Sequence, residues 1–444
     1  MAMYRSAGGG NHGDCPVADI SWVMLDRFVF RRDDELFPDA EATHMRAQSL
    51  TSVGEIFNVA LLAATPPMLS RLYVQWPLSP PEEPDDGNGL LRLQSRLLRR
   101  GQFAAQTAPG VHQSIVLPYG ESEVTMERWF HQNTIGIVSL PGASDGDEGE
   151  FAMVQLAKFV HTPGSAPKMG AELCVFRSRL PSSSSKSNTN TQDDDDDGVA
   201  EGEWEVLELP IQHAEEEFFD LKGWSADGAV TFGKSICWFD YHQGGILRYT
   251  PPPLAGIVAE SSSSISYIRL PIDNRPKTLS PTDQLLEQYR SLCVTGARGN
   301  EQLKFVDVVR SVGVCCGQIR VSSFYKIACH TFCTTDHRWH RDALIDSEDL
   351  WYLNARQKRL MPDHAMTTFP LVSMDKPHLV HFLISEPRKK NEIDDVSVVV
   401  IDIITHKIVS TFPYTRGEDH CGKDADMVMQ WCRLPRSFLP CHFY

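Results

Sequence analysis

The sequence predicts an all-β fold, a single domain of repeated antiparallel units with one or two short helices in its connections. Three observations predict it. Apolar residues recur with period two in run after run, while helix-period segments are few. Four strand-like runs end in Leu-Pro, at Pro118, Pro141, Pro210 and Pro271. Proline donates nothing to a sheet ladder, so each marks where a strand leaves its sheet. Finally, 444 residues at 42% hydrophobic are ample for a sizeable core.

Residues 1–18 are Gly-rich and polar, without apolar surface to bury, and are expected to be disordered. Strand-like runs follow at 22–31, 57–62 and 70–76, the last two joined across a rigid turn at Pro66 and Pro67. Residues 90–100 read as a short helix carrying Arg92, Arg96, Arg99 and Arg100 on a solvated side. Runs at 173–177 and 204–207 flank an insertion, residues 181–202, of serines and then five aspartates, Asp193 to Asp197. It reads as a swollen, disordered hairpin loop, which costs little closure entropy. Ser280 as cap, Pro281 and Asp283 predict a helix over 280–292. Strands return at 304–309, 318–322, 326–333, 379–384 and 396–404, the last forming a hairpin with 407–412. The first strand, near Trp22, is expected to pair with that hairpin. The domain then runs over 19–415, with a C-terminal tail at 416–444.

The net charge is −16, part of it local to the aspartate run. An acidic chain repels phosphate backbones, so no nucleic-acid partner is expected. The N-terminus lacks the apolar core of a signal peptide, and no stretch has the roughly 18 apolar residues of a membrane-spanning helix. No membrane partner is expected. Eleven irregularly spaced cysteines read as reduced thiols, which places the chain in the cytoplasm or nucleus.

Several motifs match catalytic or binding expressions in letters. Gly228 to Ser235 satisfies the phosphate-loop pattern, with Gly233, Lys234 and Ser235 at its end. That loop needs a compact backbone nest and a following helix. Here the interior is Val230, Thr231 and Phe232, and the continuation is strand-like, so a hairpin turning at Gly233–Lys234 is expected instead. A strand over 398–402 ending in Asp402 imitates the magnesium-holding partner of such loops. Cys329, His330, Cys333, His337 and His340 offer zinc-ligand chemistry within twelve residues. Structural zinc sites usually place two ligand pairs apart. On the inferred strand Cys329 and Cys333 share one face and His330 takes the other, so packing is the expected role. Whether Cys329, Cys333, His337 and His340 bind metal stays open at this stage. Cys421, Cys432, Cys441 and His442 make a weaker set. Gly223-Trp224-Ser225 lacks the closing glycine of a nucleophile elbow. Cys315 and Cys316 have no activating neighbour in sequence, and Glu215, Glu216 and Glu217 read as a solvated face.

Trp224 with Asp227, Gly233, the run Cys237, Trp238, Asp240 and Tyr241, and Gly245 with Ile246 and Leu247 together resemble a plant family, expanded in grasses, known as domain of unknown function 1618. Further matches, in family order, are Pro66 and Pro67 with Ser70, Trp339 with Asp342, Asp349 with Trp351, and Phe369 to Val372. The resemblance implies a β-propeller akin to F-box-associated domains, and no established activity. No F-box-like helical segment precedes the β region, so an adaptor role is not expected. The expectation is a non-catalytic protein-interaction or scaffold module, with no catalytic, cofactor-binding or metal residues and no cofactor. The alternative is an enzyme whose site is assembled from loops distant in sequence.

Overall fold

The computed structural model describes residues 21–31, 37–38, 45–50, 56–75, 111–119, 122–130, 132–139, 151–162, 168–178, 202–252, 264–272, 286–297, 299–315, 318–356, 360–362, 365–386, 395–414 and 439–442. The chain begins with β1 (Trp22–Arg31), β2 (Met45–Leu50), β3 (Ile56–Leu62) and β4 (Leu69–Gln75), then β5 (Val111–Tyr119) and β6 (Ser122–Phe130). A second group is β7 (Ile135–Ser139), β8 (Phe151–Thr162), β9 (Lys168–Ser178) and β10 (Gly202–Gln212), followed by the short helix α1 (Phe218–Lys222). A third is β11 (Gly228–Phe232), β12 (Ser235–Asp240), β13 (Gly245–Tyr249) and β14 (Ile265–Arg269). The fourth is β15 (Arg290–Thr295), β16 (Gln302–Cys315), β17 (Gln318–Cys333) and β18 (Arg338–Asp346), with α2 (Ser347–Arg356) after it. The fifth is β19 (Thr367–Val372), β20 (Leu379–Glu386), β21 (Asp395–Asp402) and β22 (Lys407–Pro413), and β23 (Leu439–His442) comes last. The fold is all-β.

The groups β7–β10, β11–β14, β15–β18 and β19–β22 are each four-stranded antiparallel meanders paired in chain order. Their first strands, β7, β11, β15 and β19, contact one another in series, which is the arrangement of propeller blades about an axis. The first two of these meanders share one eight-stranded sheet, because their last strands, β10 and β14, pair in parallel at Ile211–Ile265 and Gln212–Ser266.

In the meander β11–β14 the period of two divides buried side chains between two neighbours. In β12 every residue is buried. Ile236 and Trp238 enter the core shared with β7–β10, while Cys237 and Phe239 enter the core shared with β15–β18. A third core joins β15–β18 to β19–β22 and also takes in Trp22 and Met24 of β1. The first strand thus packs on the last meander, with the Trp22 ring edge-on to His381 at 5.8 Å.

Three expectations need correction. The strand at Trp22 does not pair with the hairpin 396–412; it pairs in parallel with β4 and antiparallel with β23, which lies in the stretch read as tail. The residues 396–412 already form the third and fourth strands of their own meander, and the β1 contact to that meander is through side chains. The helix expected over 280–292 does not extend that far: residues 286–288 make a 3-10 turn and Arg290 starts β15, its side chain drawn into an ion pair with Asp307. Nor does Pro210 end β10. It is the last residue paired with β9, after which β10 changes partner to β14, so the missing donor falls where the strand switches neighbours. Residues 1–18, 90–100 and 181–201 lie outside the described residues.

Candidate functional site

The phosphate-loop letters form a hairpin. Gly228 to Phe232 are β11, Gly233 and Lys234 are a two-residue turn, and Ser235 starts β12, with Phe232 paired to Ser235. Gly233 has φ +59, the left-handed geometry such a turn demands, and an added Cβ there would meet nothing. The backbone amides enter the ladder instead of converging on an anion. Asp402 ends β21 in another meander, where its carboxylate accepts from the N–H groups of Ile404 and Thr405 at 2.9 and 3.1 Å.

The motif from Trp224 to Leu247 is a knot of structural contacts. The Asp240 carboxylate accepts from the backbone N–H groups of His242, Gln243 and Ser225 at 2.7–2.8 Å, which fixes the turn and anchors the loop before β11. Asp227 returns the favour by accepting from Tyr241 N–H at 2.6 Å. Burial pushes Asp227 up to about 6, against the Tyr241 hydrogen bond and with help from the nearby Asp240 charge. Burial likewise raises Asp240. The Trp238 indole donates to Thr134 O at 2.8 Å, toward the preceding meander. The Tyr241 hydroxyl accepts from Leu292 N–H at 2.9 Å, and its carbonyl accepts from Arg290, both toward the following one. Gly245 is a glycine because the Tyr267 ring lies over it; a Cβ would stand 2.3 Å from that ring. Trp339 similarly donates to Arg269 O at 2.9 Å, and Asp342 holds Lys304 and Thr331 at 3.0 and 2.6 Å. In α2, Trp351 donates to Ala365 O and Leu350 is buried. These positions stitch meander to meander.

The cysteine and histidine set divides. Cys329 lies in the core, and burial pushes its thiol up to about 12. His330 is buried on the opposite face. His337 sits exposed in the turn at φ +55, its ring near Phe332. Cys333 and His340 do come together, joined by Asp336, with a ligand atom from each within 4.8 Å of the others. The sequence reading missed Asp336. Its signal was there: an acidic residue in a four-residue turn between two ligand types, which folds back over the face they share.

Beside that turn lies an open cleft of about 690 Å³, between β13–β14 and the β17–β18 turn. Arg248, Arg269, Arg338, His337 and Glu217 line it with Tyr267 and Trp339. Arg248 Nε donates to Ser235 Oγ at 3.0 Å while its guanidinium lies 5.5 Å over the Phe232 ring, so its direction is set. Arg269 pairs with Asp220 at 3.0 Å. Arg338 has no ion pair among the described residues, and its side chain shares a face with Cys333 across the ladder. Glu215 and Glu216 are exposed, as a solvated face should be.

No helix among the described residues is long and apolar enough to cross a membrane. No curated protein matches the chain. Residues 238–381, from the Trp238 strand to His381, match the model of a family described as protein of unknown function, DUF1618, and over that span the chain is similar to it.

Proposed function

We propose that the protein is a non-catalytic binding module that receives an acidic segment of a partner protein in the cleft between β14 and the β17–β18 turn. The observation that carries this reading is the gathering of Arg248, Arg269 and Arg338 on one cleft in a chain of net charge −16. Guanidinium groups pair carboxylates two-pronged, and Trp339 and Tyr267 supply apolar walls for the stems of acidic side chains. A half-exposed pair such as Arg269–Asp220 is worth little, so an incoming carboxylate can replace Asp220 at small cost. A long polyanion would meet the acidic remainder of the surface, which favours a short segment over nucleic acid.

Support for a non-catalytic role comes from the thiols. Burial raises Cys237 and Cys329 to about 12 and raises Cys293 as well, which keeps them protonated and unreactive. An intracellular location, in cytoplasm or nucleus, belongs to the same proposal. Among the described residues Cys237, Cys293, Cys329 and Cys333 are free thiols.

The test is fluorescence anisotropy with a labelled Glu-rich peptide containing one aromatic residue, against Lys-rich and uncharged peptides of equal length. Binding selective for the acidic peptide and weakened by salt is expected. Replacing Arg248 and Arg338 by alanine together should weaken it by roughly tenfold or more, about 1.4 kcal/mol. Equal affinity for the three peptides, or no change in the double variant, would refute the reading.

A further inference from the structure

We propose that Cys333, Asp336 and His340 form a zinc-binding site on the β17–β18 turn, with a fourth position left for water or an incoming ligand. The inference is independent of the acidic-segment reading, since it rests on donor chemistry and ladder register alone.

The register assembles two of the donors. Cys333 pairs with Arg338 and Thr331 pairs with His340, so Cys333 and His340 project from the same face as diagonal neighbours. The turn between them brings in the third. Asp336 accepts from Arg338 N–H at 3.0 Å, which folds its carboxylate back over that face, and its other oxygen lies 2.8 Å from His340 Nε2. The Cys333 sulfur is 2.9 Å from the Thr335 hydroxyl, at the same spot.

Thiolate, imidazole and carboxylate are all zinc donors, bonded at about 2.0–2.3 Å, which sets tetrahedral donors about 3.5 Å apart. Ligand atoms that already lie within 4.8 Å of one another reach that spacing by side-chain rotation alone. Asp336 and His340 are exposed and Cys333 half-buried, so the rotation meets no packed core. Binding transfers the Cys333 thiol proton to solvent and breaks the Asp336–His340 hydrogen bond, and the proton on His340 Nε2 is lost to solvent or replaced by one on Nδ1, so that Nε2 offers its lone pair to the metal. Three protein donors with one open position distinguish this from a closed structural site, whose four protein ligands would come from two separated pairs.

Titration of the full-length, metal-free protein with cobalt, a spectroscopic stand-in for zinc, tests the site. The expected result is a thiolate-to-cobalt charge-transfer band with the visible bands of tetrahedral coordination, saturating at one equivalent and bleached by zinc. Cys333→Ser and His340→Ala should each lose the charge-transfer band or shift it to weak, non-saturating binding, and Asp336→Asn should weaken affinity. Cys441→Ser should leave the spectrum unchanged, which separates this site from the cysteines near the C-terminus. Circular dichroism melts of all four variants report whether each is folded. A folded Cys333→Ser protein that retains the band, or a parent protein that never develops one, overturns the assignment.

Discussion

Asp227 carries the sharpest single-residue consequence. Its folded pKa, about 6, lies above its ordinary value of 3.8. Between those values the native state holds a proton that the unfolded state has lost, so the contribution is complete below pH 3.8 and is lost as pH rises through 6. Asp227→Asn keeps an acceptor for Tyr241 N–H but no longer titrates. The variant should therefore gain on the parent protein by up to about 3 kcal/mol as pH rises from 4 to 7, read from urea midpoints across that range. Parallel pH curves for the two proteins would show that burial does not tax this carboxyl. Gly245 makes a packing prediction at the same scale. Gly245→Ala drives a methyl group into the Tyr267 ring, which is itself buried, and should cost about 1–3 kcal/mol in a denaturant melt. Much of this was visible in the sequence as pattern but not as cause. Trp238, Asp240 and Gly245 stood out together, yet nothing in their spacing told that Asp240 ties a turn to the loop at Ser225. That needs the fold to bring residues 225 and 240 together.

The strand is the next scale, and β17 shows how it couples to its neighbours. β18 carries one extra residue, Asp342, opposite the step between Cys329 and His330. The bulge aims Asp342 at Lys304 on the far side of β17, where the lysine side chain is only 10% exposed. Asp342→Ala should leave that ammonium buried without its anion, at a cost of about 3 kcal/mol by thermal or urea melt. Lys304→Met in the same background should recover most of it, because the burial penalty disappears with the charge. If Asp342→Ala melts like the parent, Lys304 finds water and the bulge has another purpose. Strands and hairpins were legible here, since period two and Gly233–Lys234 report local geometry. The helix expected through Leu292 failed because the alternation in Arg290, Leu292 and Val294 is also that of a doubly buried strand. Its caps promised a start and said nothing about length. The bulge at Asp342 left no mark in the pattern, and the fold of the 334–337 turn that brings Asp336 to Cys333 left none either.

At the scale of the whole molecule, the seam between β1 and the last meander is the feature to test. His381 lies buried there against Trp22, donating from Nδ1 to Leu371 O at 3.3 Å. Burial lowers its pKa to about 4, well below 6.5, although the Leu371 carbonyl pulls the other way. Between pH 6.5 and 4 the unfolded state takes up a proton that the native state refuses. Stability from this residue is thus intact above 6.5 and lost as pH falls through 4, by about 3 kcal/mol. His381→Gln, which keeps an N–H donor, should flatten the acid side of the stability curve. Because Asp227 slopes the opposite way over pH 4–6, the parent protein should look nearly flat there, and each single variant should tilt it in opposite senses. A parent curve as steep as the Asp227→Asn curve would show that the two groups do not offset. The all-β class followed from the period-two runs in the sequence, but the order of the meanders and the contacts of their first strands did not. The seam did not, because β23 contributes only four residues, too few to stand out from a stretch without periodicity.

The pairing of β1 with β23 sets Trp22 directly opposite His442. The two ends of the described chain are therefore already the two arms of a hairpin that lacks its loop. A linker of about two to five residues from His442 to Ser21 would supply one. New termini opened between Gly233 and Lys234, on an exposed turn, would then give a reordered gene product with the same strand neighbours. With its two ends paired in this way, where the chain starts is a matter of genetics more than of architecture.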